Sequence, residues 1–328
     1  GTTYTFLNAG EVSGQFSSLL SDPLFNYTIH YLPNQAQLFL TVSSIILGIP
    51  NSSLTGNARS VADYLFCDNF NFADTDLVVV TNALFQLSMD EYAKALNRLT
   101  PTAFGALPLV ELENNFNLAN TFFVAGVGQR SYCYADVDEP TNVWFNPLGF
   151  VYSQDGHKEA PGFTAHTYGA VVGADRVFLD EWSLGVGFGY SHAQLDWTHH
   201  VCHAHADSIY LGPYIKYDCG NFYFDFLLLG AGNFYEVDRK IVFPGLSRKA
   251  HSDPTTWNLS EILLAGLRLE PCNVDNFFVQ PEIRLDQTNS FQGKFKERGA
   301  HSINLSVKSK RSSFLRSLVN IKVTKEAS

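Results

Sequence analysis

The chain has 328 residues, with 22 Lys and Arg against 32 Asp and Glu, for a formal net charge of −10. That length has room for two or three domains, and the acidic balance lacks the basic stripe a nucleic-acid partner needs. Hydrophobic residues make up 45%, yet no run approaches the ~18 consecutive apolar residues of a membrane helix.

Aromatics are plentiful, with 27 Phe and 15 Tyr beside 24 Gly and one Met. A membrane β-barrel or a secreted β-protein would have this composition. The cysteines at 67, 133, 202, 219 and 272 form no CxxC pair, so neither a zinc ribbon nor a redox motif is indicated. The chain opens at Gly1, without a start Met or signal peptide, and is expected to be part of a longer precursor.

Residues 1–49 read as short strands, at Tyr4–Phe6, Val12–Phe16, Tyr27–Tyr31 and Gln37–Val42, divided by Asn, Gly, Asp and Pro. Their spacing suits a small sheet or the last coils of a β-solenoid. Ile49–Gly56 looks like a linker. From 57 to about 122 the period becomes helical. Asn57 can cap a helix that places Val61 and Leu65 on one face. Ser88 and Glu91 form a capping box ahead of Tyr92, Ala95, Leu96 and Leu99. Thr100-Pro101 is a further start signal, and Pro108 should kink or divide the segment that follows it.

From 123 the period is two. The clearest stretch is Trp182–Tyr190, where Trp182, Leu184, Val186, Phe188 and Tyr190 alternate with Ser183, Gly185, Gly187 and Gly189. A strand sends these sets to opposite faces, one apolar and one nearly bare. Nine residues fit the ~9–11 of a tilted strand crossing a bilayer, with aromatics at both interfaces. Strands of similar pattern are predicted around Tyr168–Ala174, Ile209–Tyr217, Phe222–Leu229, Trp257–Leu269, Phe277–Leu285 and Ile303–Val307. The links alternate in length. Short ones sit at 179–181, 218–221 and 271–276, and longer polar ones at 153–162, 198–207, 244–256 and 287–300. Short turns at one end and long loops at the other are the layout of an outer-membrane barrel. A sandwich, by contrast, has no reason to sort its loops.

Ordered fragments over this region resemble the β-barrel translocator domain of autotransporters, in the form common in chlamydia-like bacteria. They include Gly173-Ala-Asp175, Trp182–Ser191 with Asp196, Gly212-Pro-Tyr214, Gly220–Tyr223, Asp225, Tyr235, Arg239-Lys-Ile241, Gly299-Ala300 and Ile303–Val307. Tyr4–Phe16 resembles the end of a passenger β-solenoid, and Leu87–Pro101 the helical segment before the barrel. The resemblance implies a passenger β segment at 1–49, a helical linker and pore helix at 50–122, and a barrel at 123–328. The fold class is then mainly β: an antiparallel outer-membrane-type barrel behind a helical linker and a short solenoid remnant. The family barrel has about a dozen strands and ends in an aromatic residue, whereas roughly eight strands are predicted here and the chain stops at Ala327-Ser328. It is therefore expected to be C-terminally truncated, with bare sheet edges that a bilayer does not tolerate.

Two clusters carry possible chemistry. In His199–His205, His203 and His205 would share one strand face with Cys202 adjacent, ligand types that suit zinc or copper. A variable polar surface loop is the alternative. Asn114-Asn115 lies where some family members cut their passenger free, by cyclisation of an Asn side chain onto its own carbonyl. A solvated helix with two polar residues is the alternative. Asp175, Arg176, Asp225, Arg239 and Arg284 are charged strand residues that can line a lumen, and a Cys219–Cys272 disulfide is conceivable at one barrel end. No cofactor or enzymatic motif is expected. The expected function is an outer-membrane translocator and anchor that exposes its own passenger at the cell surface. Its partners would be the bilayer, the barrel-assembly machinery and that passenger, and no nucleic acid. The competing classes are an outer-membrane enzyme or porin, and a soluble β-sandwich adhesin.

Overall fold

The computed structural model describes residues 2–16, 25–42, 54–66, 75–125, 141–157, 159–179, 181–269 and 277–325. Cys67, Cys133 and Cys272 lie outside them, as does the expected short link at 271–276. The chain divides into two compact units.

The first unit comprises residues 1–100, 241–248 and 301–303. Strands β1 (Thr2–Asn8), β2 (Phe25–Leu32) and β3 (Gln35–Val42) form an antiparallel sheet in the order β1-β3-β2. The expected strand at Val12–Phe16 is not one. The Val12 amide donates to the Pro33 carbonyl and the Phe16 amide to the Tyr31 hydroxyl, so neither is available to a ladder. The Phe16 ring packs beside Phe6 and Tyr31 instead.

Three helices follow: α1 (Gly56–Phe66), α2 (Thr75–Phe85) and α3 (Met89–Arg98). In α1 the buried face is Ala58, Ala62 and Leu65, while Val61 is only half-buried. In α3 the predicted face of Tyr92, Ala95 and Leu96 is buried, and the Glu91 carboxylate accepts both the amide and the hydroxyl of Ser88. Helix α2 went unmarked by the sequence because Val78-Val79-Val80 favours a strand. Its burial of Val80, Ala83 and Leu84 outweighs that propensity.

Asp76 in the first turn of α2 joins the separate parts of this unit. Its two oxygens take the Arg248 guanidinium at 2.7 and 2.8 Å, and the Ser302 amide at 3.0 Å. The Ser302 hydroxyl donates to it as well.

The second unit comprises residues 101–240, 249–300 and 304–328. Its strands, apart from residues 241–248 of β8 and β9 that belong to the first unit, are β4 (Asn142–Gln154), β5 (Phe163–Leu179), β6 (Trp182–Trp197), β7 (Cys202–Cys219), β8 (Phe222–Phe243), β9 (Leu246–Ser252), β10 (Thr255–Leu267), β11 (Phe277–Gln292), β12 (Phe295–Lys296), β13 (Ser306–Val307) and β14 (Lys310–Lys325). Eight of them run in the order β4-β5-β6-β7-β8-β10-β11-β14, with β9 paired to β8. Each long strand is antiparallel to its neighbour, a meander in which sequence order is sheet order. No pairing joins β4 to β14 among the described residues.

The expected long links are shorter than the sequence suggested. The 198–207 link shrinks to 198–201, because Cys202, Ala204 and Ala206 face inward and continue the alternation. The 244–256 link contains β9, and β11 runs on to Gln292.

The sheet is inverted relative to a soluble one. In β6 the large residues Leu184, Val186, Phe188 and Tyr190 are 48–57% exposed, whereas Gly185, Gly187, Gly189 and Ser191 face inward and are buried. Val143, Phe145, Tyr168, Leu211, Trp257, Leu315 and Val319 are likewise exposed. On the other side, Asp225, Asn233, Ser260, Glu282, Arg284, Asp286 and Thr288 are buried. A sandwich in water would bury the apolar face, while a bilayer solvates it.

The Asp76 contact is testable. The Arg248 guanidinium, with the Ser302 hydroxyl and amide, holds the Asp76 carboxyl well below the usual range, against the partial burial that opposes its charge. A depressed folded pKa gives a contribution that is complete above the unfolded value of ~3.9 and lost as pH falls through the folded one. Because Asp76 is about a third exposed, screening limits the loss in Asp76→Asn to ~1 kcal/mol. Amides of α2 should exchange ~5-fold faster in the variant at pH 7. The ratio should largely persist at pH 4 and approach one only in stronger acid.

Candidate functional site

The inner face of the sheet is organised around α4 (Leu107–Ala125). A 3₁₀ turn at Thr102–Ala106 leads into it. Pro108 divides the two as expected and sits in the first helical turn, where its missing N–H leaves no bond unmade.

Both ends of α4 are apolar. Leu107 and Val110, with Phe104, join Phe163, Leu195, Trp197 and Tyr235. Leu118, Phe122 and Phe123 join Trp144, Tyr210, Tyr214, Tyr223 and Leu227. Phe122 fits because the strands opposite it are bare. A Cβ on Gly187 would lie 2.4 Å from its ring, and one on Gly212 would lie 3.1 Å away.

Between the apolar ends lies a polar belt. Glu111 is 2% exposed and accepts hydrogen bonds from Tyr235 (2.9 Å), Thr256 (2.5 Å) and Ser290 (3.1 Å), which come from three strands. Asn114 Oδ1 accepts from the Thr167 hydroxyl at 3.2 Å. Asn115 Nδ2 donates to Ser260 Oγ at 3.3 Å, and Ser260 is bonded in turn to Thr288. Arg284 donates to Asp286 (2.6 Å) and to Asn120, and Arg316 pairs with Glu113. The Phe116 ring lies between these two guanidiniums, 4.3 and 4.5 Å from its centroid. Lys216 Nζ donates to the Phe122 carbonyl at 3.4 Å.

Asn114 and Asn115 are therefore not on a solvated helix. They are 6% and 2% exposed, deep within the sheet. Of the charged strand residues, Asp225, Arg239 and Arg284 are buried and Asp175 is half-buried, taking the Tyr214 hydroxyl at 2.5 Å. Arg239 makes a buried ion pair with Glu297 at 2.6 Å. Arg176 is exposed on the outward face and lines nothing. The metal candidates separate: His203 and His205 point outward, while Cys202 points inward into the apolar cluster. Among the described residues, no group of three or more His, Cys, Asp or Glu is placed to hold a metal ion.

Sequence reasoning missed Glu111, Glu113 and Arg316. A signal was available in Glu111-x-x-Asn114-Asn115, spaced to lie on one helix face, and in polar residues at every second position of Glu282–Ser290. What could not be read was that these two stripes face each other.

An antiparallel meander with an apolar exposed exterior, a polar interior and its own helix inside defines an outer-membrane barrel-type sheet. No described helix is long and apolar enough to cross a membrane. The chain belongs to the autotransporter beta-domain family, whose model matches residues 143–328. It is an outer-membrane translocator and anchor for a passenger exposed at the cell surface. Among solved structures it is similar to the translocator domain of autotransporter NalP from Neisseria meningitidis. The identity is 14% and the TM-score 0.53, over 69% of this chain and 72% of that one. It is also similar to the beta domain of the Bordetella autotransporter BrkA, at 17% identity and a TM-score of 0.39, over 56% of this chain and 70% of that one. No curated protein matches.

Replacing Glu111 tests the seat of α4. Glu111→Ala leaves three buried hydroxyls without their acceptor and should destabilise the folded protein by ~3 kcal/mol. Glu111→Gln keeps one acceptor oxygen and should lose less. Thermal unfolding in detergent micelles, followed by near-UV circular dichroism, would report both.

Proposed function

We propose that α4 is the passenger's tail held within the barrel, and that the chain cuts itself between Asn114 and Asn115. The observation that carries this is the burial of both residues at mid-helix, anchored to opposite strands, Asn114 to Thr167 on β5 and Asn115 to Ser260 on β10. In the reaction, Asn114 Nδ2 attacks the main-chain carbonyl carbon of Asn114. A C–N bond closes a succinimide, and the peptide bond to Asn115 breaks. The proton leaving Nδ2 is balanced by one gained at the Asn115 amine.

An amide is a poor nucleophile, so the site must help. The Thr167 hydroxyl on Oδ1 draws electron density from the amide and makes its N–H more acidic. The Ser260 contact steadies Asn115 while its backbone nitrogen leaves. The apolar clusters at both helix ends keep bulk water from competing with the ring closure. A porin keeps an open channel where α4 sits here, which favours the translocator over that alternative. Insertion of the sheet is expected to depend on the outer-membrane barrel-assembly machinery.

Intact-mass analysis of protein from outer membranes tests the cut. The parent should give a fragment that starts at Asn115. Asn114→Ala should give none, and Thr167→Val should cut ~10-fold more slowly. An uncut parent, or cutting that persists in Asn114→Ala, would refute the proposal.

A further inference from the structure

On the outward side of the sheet, the ends of β6 and β7 next to the 198–201 link carry a second set of titratable side chains. His203 and His205 are two apart on β7 and share its outer face. Their Nε2 atoms are 2.9 Å apart, with the rings at 85°. His203 Nδ1 is 2.7 Å from the Oδ1 of Asp196, its cross-strand partner on β6. The ring of His205 stacks on His192 at 5.5 Å, and His192 Nδ1 is 2.9 Å from Asp207 Oδ1. Tyr190, the last aromatic of the apolar band on β6, donates to the same Asp207 oxygen at 2.6 Å. The histidines thus stand beyond the end of that band, where water reaches them, and His203 is 35% exposed.

The Asp196 carboxylate holds the His203 proton on Nδ1 and leaves the Nε2 lone pair available. A carboxylate behind a histidine is how ligating imidazoles are usually oriented. The short Nε2–Nε2 contact then requires His205 to carry its proton on Nε2. His205 Nδ1 is buried and has no hydrogen-bond partner. Moving the proton to Nδ1 therefore breaks no bond other than the one a metal would replace.

We propose that His203 and His205 chelate a first-row divalent cation through both Nε2 atoms, with water filling the remaining positions. Cys202 takes no part, since it points into the sheet. Of the first-row divalent ions, Cu²⁺ binds nitrogen ligands most tightly. This inference is independent of any cut at Asn114.

The test is Cu²⁺ titration of the purified chain in detergent micelles, followed by calorimetry and electron paramagnetic resonance. The parent should bind one Cu²⁺ with hyperfine structure from two imidazole nitrogens. His203→Ala and His205→Ala should each weaken binding at least ~10-fold and leave at most one nitrogen, and Asp196→Asn should weaken it ~10-fold while keeping both. The double variant His199→Ala/His200→Ala, in the adjacent link, should bind as the parent does. These outer positions make no lumen contact, so the melting of each variant should match the parent. No Cu²⁺ binding by the parent, or binding lost in the 199/200 variant and kept in His203→Ala, would overturn the proposal.

Discussion

The structure depends on satisfying a polar face that is buried. Eight strands turn Asp, Glu, Arg, Asn, Ser and Thr side chains inward, and each such group costs free energy unless it is hydrogen-bonded. Helix α4 supplies many of the partners. It touches every long strand of the sheet: β4 through Trp144, β5 through Thr167, β6 through Gly187, β7 through Lys216, β8 through Tyr235, β10 through Ser260, β11 through Arg284 and β14 through Arg316. Eight strands ~4.8 Å apart would span ~34 Å if flat, and a helix is only ~10–12 Å across. The contacts are possible only because the sheet curls round the helix.

Small residues set how closely it can curl. Phe122 lies over Gly187 and Gly212, and the Trp144 ring over Gly173, where a Cβ would sit 2.2 Å from it. These glycines cost strand propensity, a loss offset by aromatic packing at the inner end of the helix. The same glycines explain how a chain segment fits inside a sheet of this few strands. Polar contacts at mid-helix then fix its register. Glu111, Asn114, Asn115 and Glu113 each bond to a different group of strands, so a shift by one turn would break all of them together. Holding the helix in one register is what an anchor requires, and it keeps Asn114 and Asn115 buried within the sheet.

Much of the architecture was legible because a strand's period is local. Trp182–Tyr190 announced an apolar face and a bare one, and the structure exposes the first and buries the second. The Ser88–Glu91 box likewise marked α3 from four residues. Errors arose where tertiary burial overrides local preference. Three consecutive valines concealed α2, and the link expected at 198–207 was overdrawn because Cys202, Ala204 and Ala206 turn inward and continue β7. The candidate site was legible only as a pair of asparagines. Their burial depends on Thr167 and Ser260, 53 and 145 residues further along the chain, and no local pattern carries that information.

The central claim, that α4 lies inside the sheet with Asn115 against β10, is tested most directly by oxidative cross-linking in isolated outer membranes. In a background without native cysteines, Asn115→Cys is paired with Ser260→Cys on the inner face or with Leu259→Cys on the outer one. The side-chain atoms of Asn115 and Ser260 meet at 3.3 Å, within the reach of a disulfide, so the 115–260 pair should cross-link and the 115–259 pair should not. Equal cross-linking of both pairs, or none at 115–260, would contradict a helix held within the sheet.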